Sequence, residues 1–382
     1  MLDSVEVLVQ SKSISLQLCL FVIVGFSGVG LSQQQRSVPV SRYVNGVPFH
    51  FVIPRGNSAQ AMQEAAAGTN IPMWSGTFTY LGTTYNFTMI GTNPASGSAT
   101  TTVPVVIIPL QFNFSGGVSL SAEANVCSDS ESAVARTENS PMLQSASFSP
   151  GGTNVGTTQY VDAFQRANFW SLVSGHSTSY HVLLGAPSLE PLQVINVSKR
   201  FGTTVAGPCA RIGEVDINFF DSQAQNILTS LGIPATTFPV FLDYNTFLTS
   251  HKSCCILGYH SATSSNHTYA FAAYSDPGIF TAPGIRDIHA LSHEVGEWMD
   301  DPFGNNIVPA WGNVGQVSGC QNNLEVGDPV TGVAFTVSLN GFTYHPEDLV
   351  FLPWFSRQSP SSSVNGWYTF LNTFSSPAAA CP

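Results

Sequence analysis

The residues with the clearest chemical potential stand together in His293-Glu294-Val295-Gly296-Glu297. His293 and Glu297 occupy i and i+4, so on a helix they share a face and can reach one ion. A glutamate placed directly after the first ligand points at water on such an ion and can take its proton. Glu294 holds that position and is the expected general base. A carboxylate at Glu297, where a second histidine is more usual, still suits zinc and lets a harder ion such as calcium compete. The pattern predicts one divalent ion, zinc or alternatively calcium, and the chemistry of metal-assisted hydrolysis.

A third ligand must come from outside the helix. Glu325 and Asp328 are the only carboxylates between Asp301 and Glu347, and a turn through Gly327 can aim either one inward. Spacing does not choose between them. His289 lies one turn before His293 but about 12 Å along the axis from Glu297. It cannot readily share an ion with Glu297, and residue 290 is alanine, so no glutamate directly follows it as a base. His289 is therefore expected beside the ion, at the cleft edge, where it contacts substrate or hydrogen-bonds a ligand.

A helix over residues 287–299 must position this set. Ile288, Leu291, Val295, Trp298 and Met299 fall on one side of the wheel, with His289, His293 and Glu297 opposite. Asp301-Pro302 stops it, because a residue before proline avoids the helical region. Residues 73–90 read as a hairpin turning at Leu81-Gly82-Thr83. Residues 103–114 read as a buried strand, with Pro104 and Pro109 placing it at an edge or bulge. Residues 159–173 and 221–231 read as helices, the second capped by Asp221 and ended by Gly232. Strands are expected over 194–197, 212–219, 238–244 and 269–274. The expected fold is α+β: a mixed sheet backing the metal-bearing helix in residues 159–382, with a β-rich region over 33–158 packed against it.

Composition narrows the setting. Only 9% of the 382 residues are charged, against 43% hydrophobic, and the net charge is −11. Typical domains carry about 25% charged residues, so this surface is built from Ser, Thr, Asn, Gln and Gly. No basic cluster offers a phosphate-binding face, which excludes nucleic acid as a partner. Residues 14–31 are nearly all apolar, and Gly30 and Ser32 provide small residues for cleavage before Gln33. Residues 1–32 thus read as a signal peptide, predicting a secreted, extracellular or periplasmic protein with no stable membrane span after cleavage. Six cysteines then remain, enough for up to three disulfides with unresolved pairing. The adjacent Cys254 and Cys255 are expected to take different partners, and Cys320 to anchor the loop that carries Glu325.

Ser292-His293-Glu294-x-x-Glu297, followed by Asp301-Pro302, Asn305, Trp311 and Glu325-x-Gly327-Asp328, resembles the plant phosphate-induced, Exordium-like secreted proteins. The likeness covers roughly residues 255–330. The chain also looks like exported bacterial proteins, acidobacterial ones among them, with a His-Glu-x-x-Glu core; that likeness extends through 104–114 and 151–169. The resemblance implies a zincin-like metal domain, and Cys255-x-x-x-x-His260 implies that His260 faces the site. Trp298 and His289 depart from the pattern, which has small or hydroxyl residues there. The reading that follows is a secreted zinc peptidase-like hydrolase acting on a peptide or cell-wall polymer. The alternative is a non-catalytic extracellular or wall protein with a structural ion, whose coordination would be closed to water.

Overall fold

The computed structural model describes residues 48–127, 129–176, 179–251 and 253–381. The expected signal peptide lies outside them. Among the described residues, no helix is long and apolar enough to cross a membrane.

One mixed sheet of eleven strands organises the chain. In sequence order its strands are β1 (Phe49–Ile53), β2 (Val105–Phe114), β3 (Ser119–Ser121), β4 (Ser188–Leu189) and β5 (Gln193–Val197). There follow β6 (Gly202–Ala206), β7 (Arg211–Asp216), β8 (Phe238–Tyr244), β9 (Thr246–Ser250), β10 (Ser253–Ala262) and β11 (Thr268–Tyr274). The spatial order is β4-β2-β8-β11-β10-β9-β7-β6, with β1 along β10 and with β3 and β5 along β2. Every residue of β8 and β11 is buried, so neither strand shows the apolar–polar alternation of a half-exposed one.

Helix α1 (Tyr160–Asn168), helix α2 (Ile217–Leu231) and helix α3 (His289–Asp300) complete the frame. Side chains alternate across a strand, and that alternation puts α2 and α3 on opposite faces of the sheet. Phe220 of α2 meets Phe241 and Phe271. Trp298 of α3 stacks on Phe238, ring centroids 3.6 Å apart, and donates its indole N–H to Thr268 Oγ1 at 3.0 Å. On the α3 face β11 presents the small residues Thr268, Ala270 and Ala272, and β10 presents Gly258, so the helix can lie close.

Three expectations change. Strand β2 is no edge strand: β8 flanks it on one side and β4 and β5 on the other. Pro109 falls between the β4 register, which ends at Ile107, and the β5 register, which starts at Leu110. The missing N–H is tolerated at this gap rather than at a sheet edge. Helix α2 begins at Ile217, with Asp216 and not Asp221 as its cap, accepting from the Phe219 N–H at 3.0 Å. The apolar run before residue 221 read as strand because a helix turn and a strand cannot be told apart over so few residues. Asp221 is instead buried, accepting from Arg55 at 2.6 Å and from Tyr259 and Tyr269. Finally, Cys254 and Cys255 bond to each other, since Cys127 pairs with Cys209 and Cys320 with Cys381. The last bridge does tether the hairpin leading to Glu325, as expected.

The regions before and after residue 158 share one sheet, because β2 hydrogen-bonds to β8. The hairpin of Met73–Tyr80 and Thr83–Ile90 packs its second strand against α3.

Candidate metal centre

All twelve residues of α3 are buried. The sheet covers its apolar side, and the side expected to face a cleft is covered by Leu324, Glu325, Val326 and Asp328, by residues 345–350 and by His50 on β1. Gly296 lets the segment 345–350 close down: a Cβ there would lie 2.5 Å from Leu349 Cδ1.

The expected ligands converge. His293, Glu297 and Asp328 place donor atoms within 4.8 Å of one another, as do His260, Glu297 and Glu325. His293 Nε2 lies 3.0 Å from Glu297 Oε1 and 3.7 Å from Asp328 Oδ1. Donors bonded tetrahedrally at about 2.0–2.1 Å from zinc stand about 3.3 Å apart, so this triangle has the size of a metal site. His293 Nε2 is fully buried and makes no well-aligned hydrogen bond, its nearest polar neighbours being these two carboxylate oxygens. Its other nitrogen, Nδ1, lies 2.6 Å from Glu347 Oε2. A carboxylate accepts there, so Nδ1 carries the proton and Nε2 is left as the donor atom, the arrangement that orients metal-binding histidines. Glu347 Oε1 in turn accepts from the Gly332 N–H at 2.8 Å.

Asp328 and Glu325 take different places. Asp328 joins His293 and Glu297, its two oxygens accepting from Gln316 and Gln321. Glu325 lies on the other side of Glu297 with His260, and its Oε2 has no hydrogen-bond partner. Glu297 Oε1 is anchored by the N–H groups of Gly327 at 3.1 Å and Asp328 at 3.3 Å. Gly327 is demanded by contact rather than conformation. Its φ of −88° suits any residue, but a Cβ would sit 2.3 Å from His293 Nδ1.

Glu294 is held between two histidines, its Oε1 2.8 Å from His50 Nδ1 and its Oε2 3.3 Å from His260 Nδ1. Gly258 makes room, since a Cβ there would meet Glu294 Cγ at 2.6 Å. His289 shares no donor group with Glu297; it stands near Glu347, 3.4 Å from Oε1, and near His50. The sequence reading did not find His50 or Glu347. Neither sits in a local pattern, and their partners are far along the chain, so only the fold brings them in. His50 arrives because β1 pairs with β10, and its ring stacks on His293 with centroids 3.6 Å apart.

The electrostatics follow from burial. Desolvation, and then the charges of Glu297 and Asp328, push Glu294 well above the usual carboxylate range, against the pull of His293. Burial and the neighbouring Glu297 raise Asp328 to about 6 and carry Glu325 well up. Burial would also lift Glu297, but His293 and His260 outweigh it and hold Glu297 below its ordinary value. Burial opposes charge on His293, yet Glu297 and Glu347 raise it well above normal. The field that favours a proton on His293 also favours a divalent cation, which competes for the same Nε2.

A cleft of about 370 Å³ between β1 and the hairpin of Ile307–Val314 and Val317–Asn323 reaches this centre at His50 and Asp328. Gln316 forms its floor, accepting from the His50 N–H at 2.6 Å and donating to the His50 carbonyl at 3.1 Å. Compared with family models, with curated proteins and with solved structures, the chain finds no match.

Proposed function

We propose that this chain is an exported, zincin-like metal-dependent hydrolase whose substrate is a peptide or cell-wall polymer. One observation carries the reading: a fully buried imidazole with its Nδ1 anchored on a carboxylate and its Nε2 without a well-aligned hydrogen bond, facing two carboxylate oxygens at ligand spacing. Leaving such a nitrogen unpaired costs about 1–3 kcal/mol, which a bound cation would recover. Zinc fits the mixed nitrogen and oxygen donors; calcium would accept the carboxylates but not favour the imidazole. The ion would supply Lewis acidity toward water and a scissile carbonyl.

The protein's own groups would then do the rest. Glu294, with its affinity for protons raised by burial, would take a proton from water and return it to the leaving group. His50 would hold Glu294 in place, and Glu347 would fix the His293 tautomer. Asp328 and His50, at the inner end of the cleft, would meet the substrate first. The disulfides suit an oxidising, extracellular setting.

The burial of His293 and Glu297 favours the second reading, a structural ion in a non-catalytic wall or matrix protein. Glu294→Gln separates the two. The metal-dependent hydrolase should keep its metal and lose cleavage of denatured protein or wall polymer by at least 100-fold. Unchanged cleavage would remove Glu294 from the reaction, and no cleavage by either form would favour the structural ion.

A further inference from the structure

Glu297 turns its two oxygens toward two different sets of donors. Oε1 faces His293 Nε2 at 3.0 Å, and Oε2 faces His260 Nδ1 at 3.7 Å. The second set has donor atoms of its own. His260 Nε2 lies 3.0 Å from the Asp301 carbonyl, which can only accept, so Nε2 carries the hydrogen. Nδ1 then presents a lone pair to Glu294 Oε2 at 3.3 Å and to Glu297 Oε2 at 3.7 Å. A lone pair facing two carboxylates is repulsive unless a proton or a metal ion lies between them. Glu325 Oε2, 3.8 Å from Nε2 of that ring, is buried and has no hydrogen-bond partner, and one donor atom from each of His260, Glu297 and Glu325 falls within 4.8 Å of the others.

Charge points the same way. Glu294, Glu297, Asp301, Glu325, Asp328 and Glu347 are each at most 7% exposed. Among the described residues, no Lys or Arg forms an ion pair with any of them. For those of them that are ionised, the compensating charge must come from His293 or from bound cations, because uncompensated buried carboxylates are costly.

We propose that the centre holds two divalent ions bridged by Glu297, one on His293 and Asp328 and the other on His260 and Glu325. This deepens the hydrolase reading and rests on it. Bridging through one carboxylate puts the ions about 3.5–4 Å apart, the separation at which a pair can clamp both the attacking and the leaving oxygen. Glu325 and Asp328 are then both ligands, of different ions, which is why spacing alone could not choose between them.

The test uses the full chain, stripped of metal, reloaded with Mn(II) and dialysed. Wild type should retain two equivalents per chain by elemental analysis, with an exchange-coupled electron paramagnetic resonance spectrum. Glu325→Gln, which preserves shape, should retain one equivalent and show the spectrum of an isolated ion. One equivalent in wild type, unchanged in Glu325→Gln, would overturn the second ion while leaving the mononuclear hydrolase standing. Two uncoupled equivalents would overturn the bridge and move the second ion elsewhere, to His50, His289 and Glu347. No retained metal would overturn the proposed function as well.

Discussion

Helix α2 lies on one face of the sheet with Asn218, Ser222 and Asn226 in solvent, whereas α3 lies on the other face with no residue exposed. The first obeys local rules: a side-chain cap at Asp216, an apolar face buried, a polar face wet, and Gly232 in the left-handed conformation at its end. The second breaks them. It has no side-chain cap, it carries Gly296 in its interior, and it buries His289, His293, Glu294 and Glu297. A mid-helix glycine alone costs about 1 kcal/mol relative to alanine. Such breaches of local consistency concentrate where function demands them. A polar face can be buried only if something else satisfies it, and in α3 the nitrogens left without a hydrogen bond belong to His289 and His293.

The largest contrast should come from Gly327→Ala. Its Cβ would collide with His293, so overpacking should cost about 3 kcal/mol and weaken metal binding by about 10- to 100-fold. Denaturant melts with and without chelator, together with metal titration, would check both. A stable variant with unchanged affinity would mean that the His293 ring is free to move.

Asp300, at the end of α3, acts through pH and leaves the metal donors in place. Burial raises it from 3.8 to about 7, against a hydrogen bond from Gln165. The folded state thus holds a proton that the unfolded state has released. Its contribution is fully present below pH 4 and is lost as pH rises toward and through 7. With metal held saturating, Asp300→Asn should match wild type near pH 4 and exceed it by up to about 4 kcal/mol at pH 8, about 1.4 kcal/mol for each unit of the shift. An equal deficit at both pH values would show that the carboxyl is needed as such.

Asp216→Ala supplies the smallest effect. It should remove about 1 kcal/mol of stability by uncapping α2 and leave metal affinity unchanged, since α2 lies across the sheet from the centre. Altered metal content in that variant would tie the two faces together.

The same contrast explains what could be read in the sequence. The helix bearing His293 and Glu297 was legible because those side chains recur at helical spacing, and the approach of Glu325 and Asp328 to it because so few carboxylates lie near. The position of His289, apart from Glu297, followed from helix rise. His50 and Glu347 were not legible: a single histidine in a lead-in strand and a glutamate after His345-Pro346 gain meaning only when β1 meets β10 and the tail folds over α3. Strand β2 misled because its prolines signal an edge, while the sheet supplies a gap between two short neighbours. The start of α2 misled because Ile217, Phe219 and Phe220 are equally good strand formers.

The metal content of the full chain, purified without chelator and set beside Glu297→Ala, tests the central claim most directly. Wild type should carry at least one divalent ion per chain and Glu297→Ala none, because Glu297 faces both donor sets. A folded wild-type protein that holds no ion, and whose melting temperature does not move on adding zinc or calcium, would contradict the account.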